Sequence, residues 1–320
     1  MTVNLRCSTT FKLKATPPYS FSLTVHKPAG WWLLTPSEKF RNGTLWTVIR
    51  QGSADFLGLK LRSIGNVENP MILCRVFHRE KLTAGQRSEI SDMLTWMLNL
   101  REDIRGFYAL AESDRLVKAL VEDLYGMRQT KRPDIFPRLI LALTLQMAPI
   151  KRSSQMMRLL IENYGEKIRF DNKEITYWPS AEKIAETDVR ELSERCKLGY
   201  RAKPLRTIAE SLTKGFPTVR ELEKMPPERA KAKLMELKGI GEYSADIVLP
   251  HPGFALDVWS AKIFHLLLFG KEPEKPRKVI RKLKNLAERR WGKWRGYVFT
   301  YVLNDLKNLS RRFNFNLIEP

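Results

Sequence analysis

Residues 233–249, KLMELKGIGEYSADIVL, contain two glycines between runs whose apolar residues recur at helical spacing. The pattern predicts two helices joined by a tight turn at Gly239 and Gly241. Glycine adopts backbone conformations that are closed to other residues, and it lets another backbone approach closely. Leu237 and Ile240 would pack the two helices together. An ordinary helical hairpin with a glycine corner fits the same residues, so the turn alone does not define a function.

The start of the second predicted helix is a candidate site for an anion. The backbone N–H groups of Gly241 and Glu242 would lie at that end, where the helix dipole favours negative charge. Lys238 would add a positive side chain. A phosphate diester fits such a site without any reading of base sequence, and we interpret the Glu242 side chain as solvated.

The composition favours a polyanionic partner, with nucleic acid first. The 320 residues contain 56 Lys or Arg against 35 Asp or Glu, a net charge of +21. Basic charge that serves only solubility is the alternative. Cys7, Cys74 and Cys196 form no CxxC pair, so we expect no metal site. We see no signal peptide and no apolar run long enough for a bilayer, and we therefore expect a cytoplasmic protein.

The hydrophobic period changes near Thr83 and predicts an α+β fold. Before that point, short segments rich in β-branched and aromatic residues predict antiparallel strands: FKLKA, YSFSLTVHK, WWLLT, TLWTVIRQ, LGLKLRSIG and MILCRVFHR. Beyond it, apolar residues recur every three or four positions. We predict an N-terminal antiparallel β-sheet domain over residues 1–98 and a larger all-helical domain over residues 99–320. The helical hairpin covers about residues 229–249.

Asp257 follows Gly241 by 16 residues, in HPGFALDVWSAKIFHLLLFG. It lies at the start of an amphipathic helix, where a capping aspartate is common. The hairpin, the loop with Pro252 and Gly253, and the aspartate together resemble the helix-hairpin-helix/Gly-Pro-Asp superfamily of DNA base-excision glycosylases. This resemblance implies a catalytic Asp257 in a loop at about residues 250–260.

The resemblance covers most of the chain and is to the alkyladenine branch, the 3-methyladenine DNA glycosylase II type. The β region resembles the extra N-terminal sheet domain of that branch. Four more segments are similar to its helical domain: LNLREDIRGFYALAESDRL, ILALTLQMAPIKRSSQMMRLLIENYG, LGYRAKPLRTIAE and WGKWRGYVFTYVL.

The resemblance implies that a damaged purine is flipped out of duplex DNA and its N-glycosidic bond hydrolysed, which leaves an abasic site. Asp257 would stabilise the oxocarbenium character of the sugar and orient or deprotonate water. Met147, which follows Gln146 in the similar helix pair, would fill the gap left by the base. A core position is the alternative for Met147.

Tyr243 stands where bifunctional relatives carry a lysine that forms a Schiff base. Tyrosine cannot do amine chemistry, so we predict a monofunctional enzyme. Lys238 and Lys262 lie nearby in sequence, but we do not assign them this role. No cysteine follows Cys196, so the iron–sulfur cluster of some relatives cannot be built. We expect no cofactor, or at most a monovalent cation at the hairpin backbone.

The base pocket would be aromatic in this branch, because electron-rich walls favour cationic alkylated bases. Tyr243 would form one wall, with Trp259 and Tyr297 as further candidates. Core positions are the alternative for the last two. Val258 and Ile247 are aliphatic, which weakens the case for 3-methyladenine and leaves hypoxanthine and other damaged purines open.

Residues 271–295 contain eleven Lys or Arg and three Glu, with Trp291 and Trp294 among them. Either a solvated helix with core tryptophans or a phosphate-facing surface fits this segment. The expected partner is double-stranded DNA with a damaged base, bound by a nucleoid-associated monomer without membrane contact. The rival functions are a bifunctional glycosylase/AP lyase acting on oxidised bases and a non-catalytic helix-hairpin-helix DNA-binding protein.

Overall fold

The N-terminal region contains a five-stranded antiparallel sheet. The computed structural model describes residues 2–26, 38–51, 55–249 and 253–317. Within these ranges the strands are β1 Thr2–Asn4, β2 Cys7–Lys14, β3 Lys39–Arg41, β4 Thr44–Gln51, β5 Asp55–Ser63, β6 Met71–His78, β7 Glu166–Phe170 and β8 Lys173–Tyr177. The large sheet has the order β2-β6-β5-β4-β3. The strands predicted in TLWTVIRQ, LGLKLRSIG and MILCRVFHR are confirmed, and FKLKA overlaps β2. The WWLLT prediction lies outside the described residues.

The strand predicted in YSFSLTVHK is wrong. Phe21–Val25 form the short helix α1, which begins at Ser20. The Ser20 hydroxyl accepts a hydrogen bond from the Leu23 backbone N–H at 3.4 Å, an N-cap that alternation of apolar residues does not reveal. Phe21 and Thr24 are the buried positions, three residues apart and therefore on one helical face.

A second, smaller sheet takes two of its three strands, β7 and β8, from the region that was predicted to be all-helical. Its order is β1-β7-β8, with β1 parallel to β7. The β7–β8 turn uses Asp171 and Asn172 at positive φ (47° and 56°), which suits these residue types. Ile168 and Ile175 face each other across the strands and are buried. The α+β class is confirmed, and the helical region contains this hairpin in addition.

Helices make up most of the remaining described chain. They are α2 Ala84–Met97, α3 Arg105–Ala109, α4 Arg115–Asp123, α5 Phe136–Leu145, α6 Ile150–Tyr164, α7 Ala181–Glu186, α8 Val189–Arg195, α9 Ala202–Thr213, α10 Val219–Lys224, α11 Pro227–Met235, α12 Glu242–Val248, α13 Val258–Phe269, α14 Pro276–Trp291, α15 Arg295–Asn304 and α16 Leu306–Arg312. Short 3-10 turns cover Leu110–Glu112, Gly199–Arg201 and Gly292–Trp294.

The helical region has two separate hydrophobic cores, which we call the first and the second apolar cluster. The first contains α5, which is buried along most of its length and packs against α6, α9 and α12. The second is built around α13, α14 and α15 and includes Phe254 and Leu256. Val248 belongs to the first cluster and Phe254 to the second, so the chain crosses between them just before Asp257.

None of the helices in the described part of the chain has the length and apolar character needed to cross a membrane. Within the same residues, no group of three or more His, Cys, Asp or Glu side chains is arranged to hold a metal ion. The domain boundary at residues 98 and 99 stays a prediction.

Candidate active site

The predicted hairpin is present, and its two glycines have different roles. Gly239 has φ +89°, and an added Cβ would lie 3.2 Å from the Pro204 Cβ. Both conformation and space therefore require glycine there. Gly241 has φ −95°, which any residue can adopt, so the expectation of special backbone geometry is wrong for this position. A Cβ on Gly241 would meet no described atom within 4 Å, and no side chain caps the start of α12. The backbone N–H groups at the start of α12 are therefore accessible to a ligand.

Gln146 fastens the α5–α6 turn to the hairpin. Its side-chain Nε2 donates to the carbonyl oxygen of Gly239 at 2.7 Å and to the Ser244 hydroxyl at 2.9 Å. Arg201, in the segment LGYRAKPLRTIAE, donates to the backbone carbonyl of Gln146. Two chain segments almost a hundred residues apart are thus held in a fixed relative position. The predicted site included Gln146 but missed Arg201.

Met147 lies at the tip of this turn and is 84% exposed. The alternative of a core position is therefore wrong. Its backbone has φ +47°, in the left-handed region that is unfavourable for a residue with a side chain. A large apolar side chain held outward on a strained turn has no folding role that the structure reveals, and such strain is typical of functional positions.

Asp257 is both the N-cap of α13 and a candidate catalytic carboxylate. Its Oδ1 accepts hydrogen bonds from the Ser260 N–H at 2.7 Å and the Ser260 Oγ at 2.6 Å. The Ser260 Oγ also lies 2.9 Å from the Asp257 backbone nitrogen, which completes a capping box. Ser260 therefore fixes one carboxylate oxygen. Oδ2 faces Tyr243, whose hydroxyl lies 3.5 Å away.

Tyr243 is a neutral phenol at this site. Burial first, and then the Asp257 carboxylate, raises the pKa of Tyr243 well above its ordinary value. The Tyr243 hydroxyl therefore keeps its proton across the physiological pH range and can donate it in a hydrogen bond to a carboxylate oxygen. Lys262, one of the two lysines considered as a substitute amine, pairs with Glu272 at 3.7 Å. Lys238 is exposed on the hairpin turn.

The two other aromatic candidates differ from Tyr243. Tyr297 is 3% exposed, its ring packs against Phe107 and Trp294, and its hydroxyl donates to Glu102. It is a core residue, and we remove it from the base pocket because no face of its ring is open. Trp259 is half-buried and packs against the second apolar cluster.

A cavity of about 760 Å³ is lined in part by residues that lie close in the chain to Tyr243 and Asp257, and no local sequence pattern predicts it. Ile247 and Leu249 at the end of α12 line it, together with Gly253 and Ala255 of the loop that leads to Asp257. Its volume is within the range of small-ligand pockets. Most of its other walls are polar, and Arg138 of α5 is one of them.

The basic segment forms the exposed face of α14. Trp291 is buried and donates its indole N–H to Asp114 at 2.8 Å, while Trp294 packs against Phe107, so both tryptophans are structural. Lys284 reaches Asp246 of α12 at 3.0 Å and joins this helix to the hairpin. A further set of side chains is exposed without a carboxylate partner among the described residues: Lys271, Lys275, Arg277, Lys278, Arg281, Lys282, Arg289 and Lys293.

No family model matches the chain. A DNA-3-methyladenine glycosylase of Bacillus subtilis is 26% identical over 164 residues, which are 51% of this chain and 54% of that protein. A probable N-glycosylase/DNA lyase of Methanothermobacter thermautotrophicus is 22% identical over 238 residues, or 67% of this chain and 74% of the relative. The chain thus spans about half the length of the first of these proteins.

The fold matches solved structures over nearly the whole chain. A 3-methyladenine DNA glycosylase of Archaeoglobus fulgidus superimposes with a TM-score of 0.74, covering 96% of this chain and 100% of that one at 16% identity. That identity is low enough for the likeness to concern the fold alone. Together with the sequence similarity, it confirms the resemblance to helix-hairpin-helix glycosylases and to their alkyladenine branch.

Proposed function

We propose that this chain, which has the fold of the helix-hairpin-helix DNA glycosylases, excises a damaged purine from duplex DNA in base-excision repair. The observation that carries the proposal is the arrangement around Asp257. One carboxylate oxygen is fixed by Ser260, and the other faces the neutral Tyr243. Tyr243 follows Gly241 of the open glycine hairpin by two residues, so the carboxylate is tied to the hairpin through Tyr243. The similarity to the Bacillus subtilis and Archaeoglobus fulgidus proteins supports the same function.

Duplex DNA would be bound through its backbone at the hairpin. Gly241 and Glu242 would donate N–H groups to a phosphate, and Lys238 would add charge. Ile240 is buried and would hold the turn rigid against the first apolar cluster. The exposed cations of α14 would add further phosphate contacts, because Lys284 joins that helix to α12.

Met147 would enter the base stack when the damaged nucleotide leaves it. Flipping costs a few kcal/mol of unstacking and unpairing, which an inserted apolar side chain can offset. The bonds from Gln146 to Gly239 and Ser244 would keep the inserted residue at a fixed distance from the phosphate site. The hairpin and the α5–α6 turn would then act as one rigid unit, which binds the DNA backbone and fills the space left by the flipped base.

The chemistry needs a negative charge beside the sugar and a water molecule. The C1′–N bond breaks with its electron pair going to the base, and positive charge develops on the sugar. Asp257 Oδ2 would stabilise that charge and accept a proton from the water that bonds to C1′. Tyr243 would hold Oδ2 in position and offer a ring face to the base.

The product would be an intact strand with an abasic site. Tyr243 occupies the position of the Schiff-base lysine, and Lys262 pairs with Glu272, so a monofunctional reaction is favoured over a lyase. We propose that no cofactor takes part, apart from a monovalent cation if one binds the hairpin backbone. A monomer suffices, since all the site residues come from one chain.

Base release from duplexes with a single lesion tests the proposal. The panel contains hypoxanthine, 1,N6-ethenoadenine, uracil and 8-oxoguanine duplexes and methylated DNA. Asp257→Asn removes the charge but keeps an oxygen that can cap α13. Asp188→Asn is the matched control, because Asp188 caps α8 through the N–H groups of Arg190 and Glu191 at 2.8 and 3.3 Å.

We expect release by the wild type and by Asp188→Asn, none by Asp257→Asn, and strand cleavage only after alkali. Cleavage without alkali, with an adduct trapped by borohydride, would favour the rival lyase. Tight DNA binding without release of any base would favour the rival binding protein.

A further inference from the structure

Arg138 is an uncompensated cation on the wall of the cavity. Its Nη1 donates to the backbone carbonyls of Val248 at 3.4 Å and Leu249 at 3.1 Å. Its Nε and Nη2 make no hydrogen bond with any described residue, and no described carboxylate lies within 4.0 Å of the guanidinium. Burial, and to a lesser degree Arg132, lowers the pKa of Arg138 to about 10, so the group stays charged at neutral pH.

No described carboxylate of the cavity compensates Arg138, and Arg101, Lys131, Arg220 and Lys224 add further cations to the same wall. Glu102 accepts from Tyr297 and Asn99, and burial raises its pKa, which favours its neutral form. Glu223 binds Lys131 at 2.6 Å. The remaining carboxylates do not reach Arg138 either: Asp246 is bridged by Lys231 and Lys284 at 3.0 Å each, and Asp92 is exposed at the rim. An incoming ligand is therefore a natural partner for the Nε and Nη2 groups of Arg138, because this half-buried charge has no carboxylate partner among the described residues.

The cavity lies within reach of a nucleotide held at Asp257. Tyr243, beside the carboxylate, and Ile247, on the cavity wall, are one helical turn apart, about 5.4 Å. Ala255, also on the wall, precedes Asp257 by two residues, at most about 7 Å of chain. A nucleotide with its sugar at Asp257 would therefore have its base within reach of this cavity.

We propose that Arg138 recognises a neutral 6-oxopurine, of which hypoxanthine is the simplest damaged form. The inference rests on the proposed glycosylase function and names the substrate class of the same site. An arginine side chain makes two parallel hydrogen bonds to the O6 and N7 acceptors of such a base. A cationic alkylated purine would instead meet an uncompensated positive charge. Only two of the described wall residues are aromatic, Trp96 and Phe299, and Trp96 already has Lys131 and Arg220 over its ring, so a cationic base would find little aromatic stabilisation there.

Single-turnover base release from hypoxanthine and 7-methylguanine duplexes tests this assignment. The two bases share O6, but methylation blocks N7 and adds a positive charge. Arg138→Met removes the guanidinium while keeping an apolar stem, and Arg138→Lys keeps the charge without the paired geometry. Arg158→Met is the matched control, because Arg158 pairs with Glu162 on the exposed surface of α6. Thermal unfolding and affinity for undamaged duplex report on the folding of each variant.

We expect the wild type and Arg158→Met to release hypoxanthine and to leave 7-methylguanine at its spontaneous rate. Arg138→Met should release hypoxanthine about 5- to 150-fold more slowly, the discrimination of one bidentate contact, and Arg138→Lys should fall between. Hypoxanthine release by Arg138→Met at the wild-type rate would overturn the proposal. So would release of 7-methylguanine alone by the wild type, which would leave the glycosylase function intact. No release from any duplex of the lesion panel would remove the glycosylase function and this inference together.

A purine analogue gives the same test without changing Arg138. A 7-deazahypoxanthine duplex lacks the N7 acceptor. We expect Asp257→Asn to bind it more weakly than the hypoxanthine duplex. Equal affinities would contradict a contact between Arg138 and N7.

Discussion

Met147→Gly should stabilise the free protein while it impairs excision. The left-handed backbone of Met147, at φ +47°, costs a residue with a side chain about 1–2 kcal/mol, and glycine removes that cost. Glycine gives the unfolded chain more freedom, which takes back about 0.4–1 kcal/mol. No packing is lost, because the side chain is 84% exposed. The free energy of unfolding should therefore rise by about 0–1.5 kcal/mol.

The effect on excision should have the opposite sign. Burying a methionine side chain that was exposed contributes about 1.5–3 kcal/mol. If Met147 enters the base stack, its removal destabilises the flipped state by that amount. Each 1.36 kcal/mol is a factor of ten in rate, so excision at subsaturating enzyme should fall by about 10- to 150-fold.

Two measurements on the same variant decide the matter. Chemical denaturation gives the free energy of unfolding, and single-turnover release gives the rate, with 2-aminopurine next to the lesion as a fluorescent reporter of flipping. Ile64→Gly is the control, since Ile64 is another exposed apolar residue, in the turn after β5. Excision by Met147→Gly at the wild-type rate would refute the plug role. A large loss of stability would refute the strain argument.

Two further predictions concern charge. Replacing Arg277, Lys278 and Arg281 by Gln should make the plot of log affinity for duplex DNA against log salt concentration less steep by up to about 2.7, because each lost phosphate contact removes about 0.9 from the slope. An unchanged slope would exclude α14 from the DNA interface. Burial, and then the neighbouring Asp123, raises the pKa of Asp305 to about 7 from its ordinary 3.8, so the native state holds this proton at higher pH than the unfolded state. The free energy of unfolding should therefore fall as the pH rises between these values, and Asp305→Asn should flatten the profile measured by denaturant titration.

Each of these experiments has a control in the chain. Lys12, Lys14 and Lys81 are exposed in or next to the N-terminal sheet, and their replacement by Gln removes the same charge as the α14 variant. Asp188→Asn, at an exposed helix cap, is the matched control for Asp305→Asn because it makes the same chemical change at a surface carboxylate.

The sequence was informative where function depends on local pattern. The turn at Gly239 and the cap position of Asp257 follow from spacing within a few residues, and both are present in the structure. The β7–β8 hairpin was missed although Asp171 and Asn172 are a recognisable turn pair, because the flanking strands are short and lie between two helices. α1 was missed because alternation was given more weight than the Ser20 cap.

The rest of the site depends on contacts between distant segments. Tyr297 fits the helical period as well on a core face as on a cleft face, and only packing against Phe107 decides between them. Arg138 is one basic residue in an apolar helix, and no local pattern marks it. Its importance comes from the carbonyls of Val248 and Leu249, some 110 residues further along the chain.

The parallel pairing of β1 with β7 has a consequence for the order in which the protein acquires its structure during synthesis. The large sheet can close once the chain has been made through His78, the end of β6. β1 must wait, because its partner residues Lys167–Arg169 are translated much later. β1 is therefore paired long after it has been made, and such long-range closure is slow. Until then its unpaired edge is free to associate with other chains, which makes β1 the segment to protect during expression.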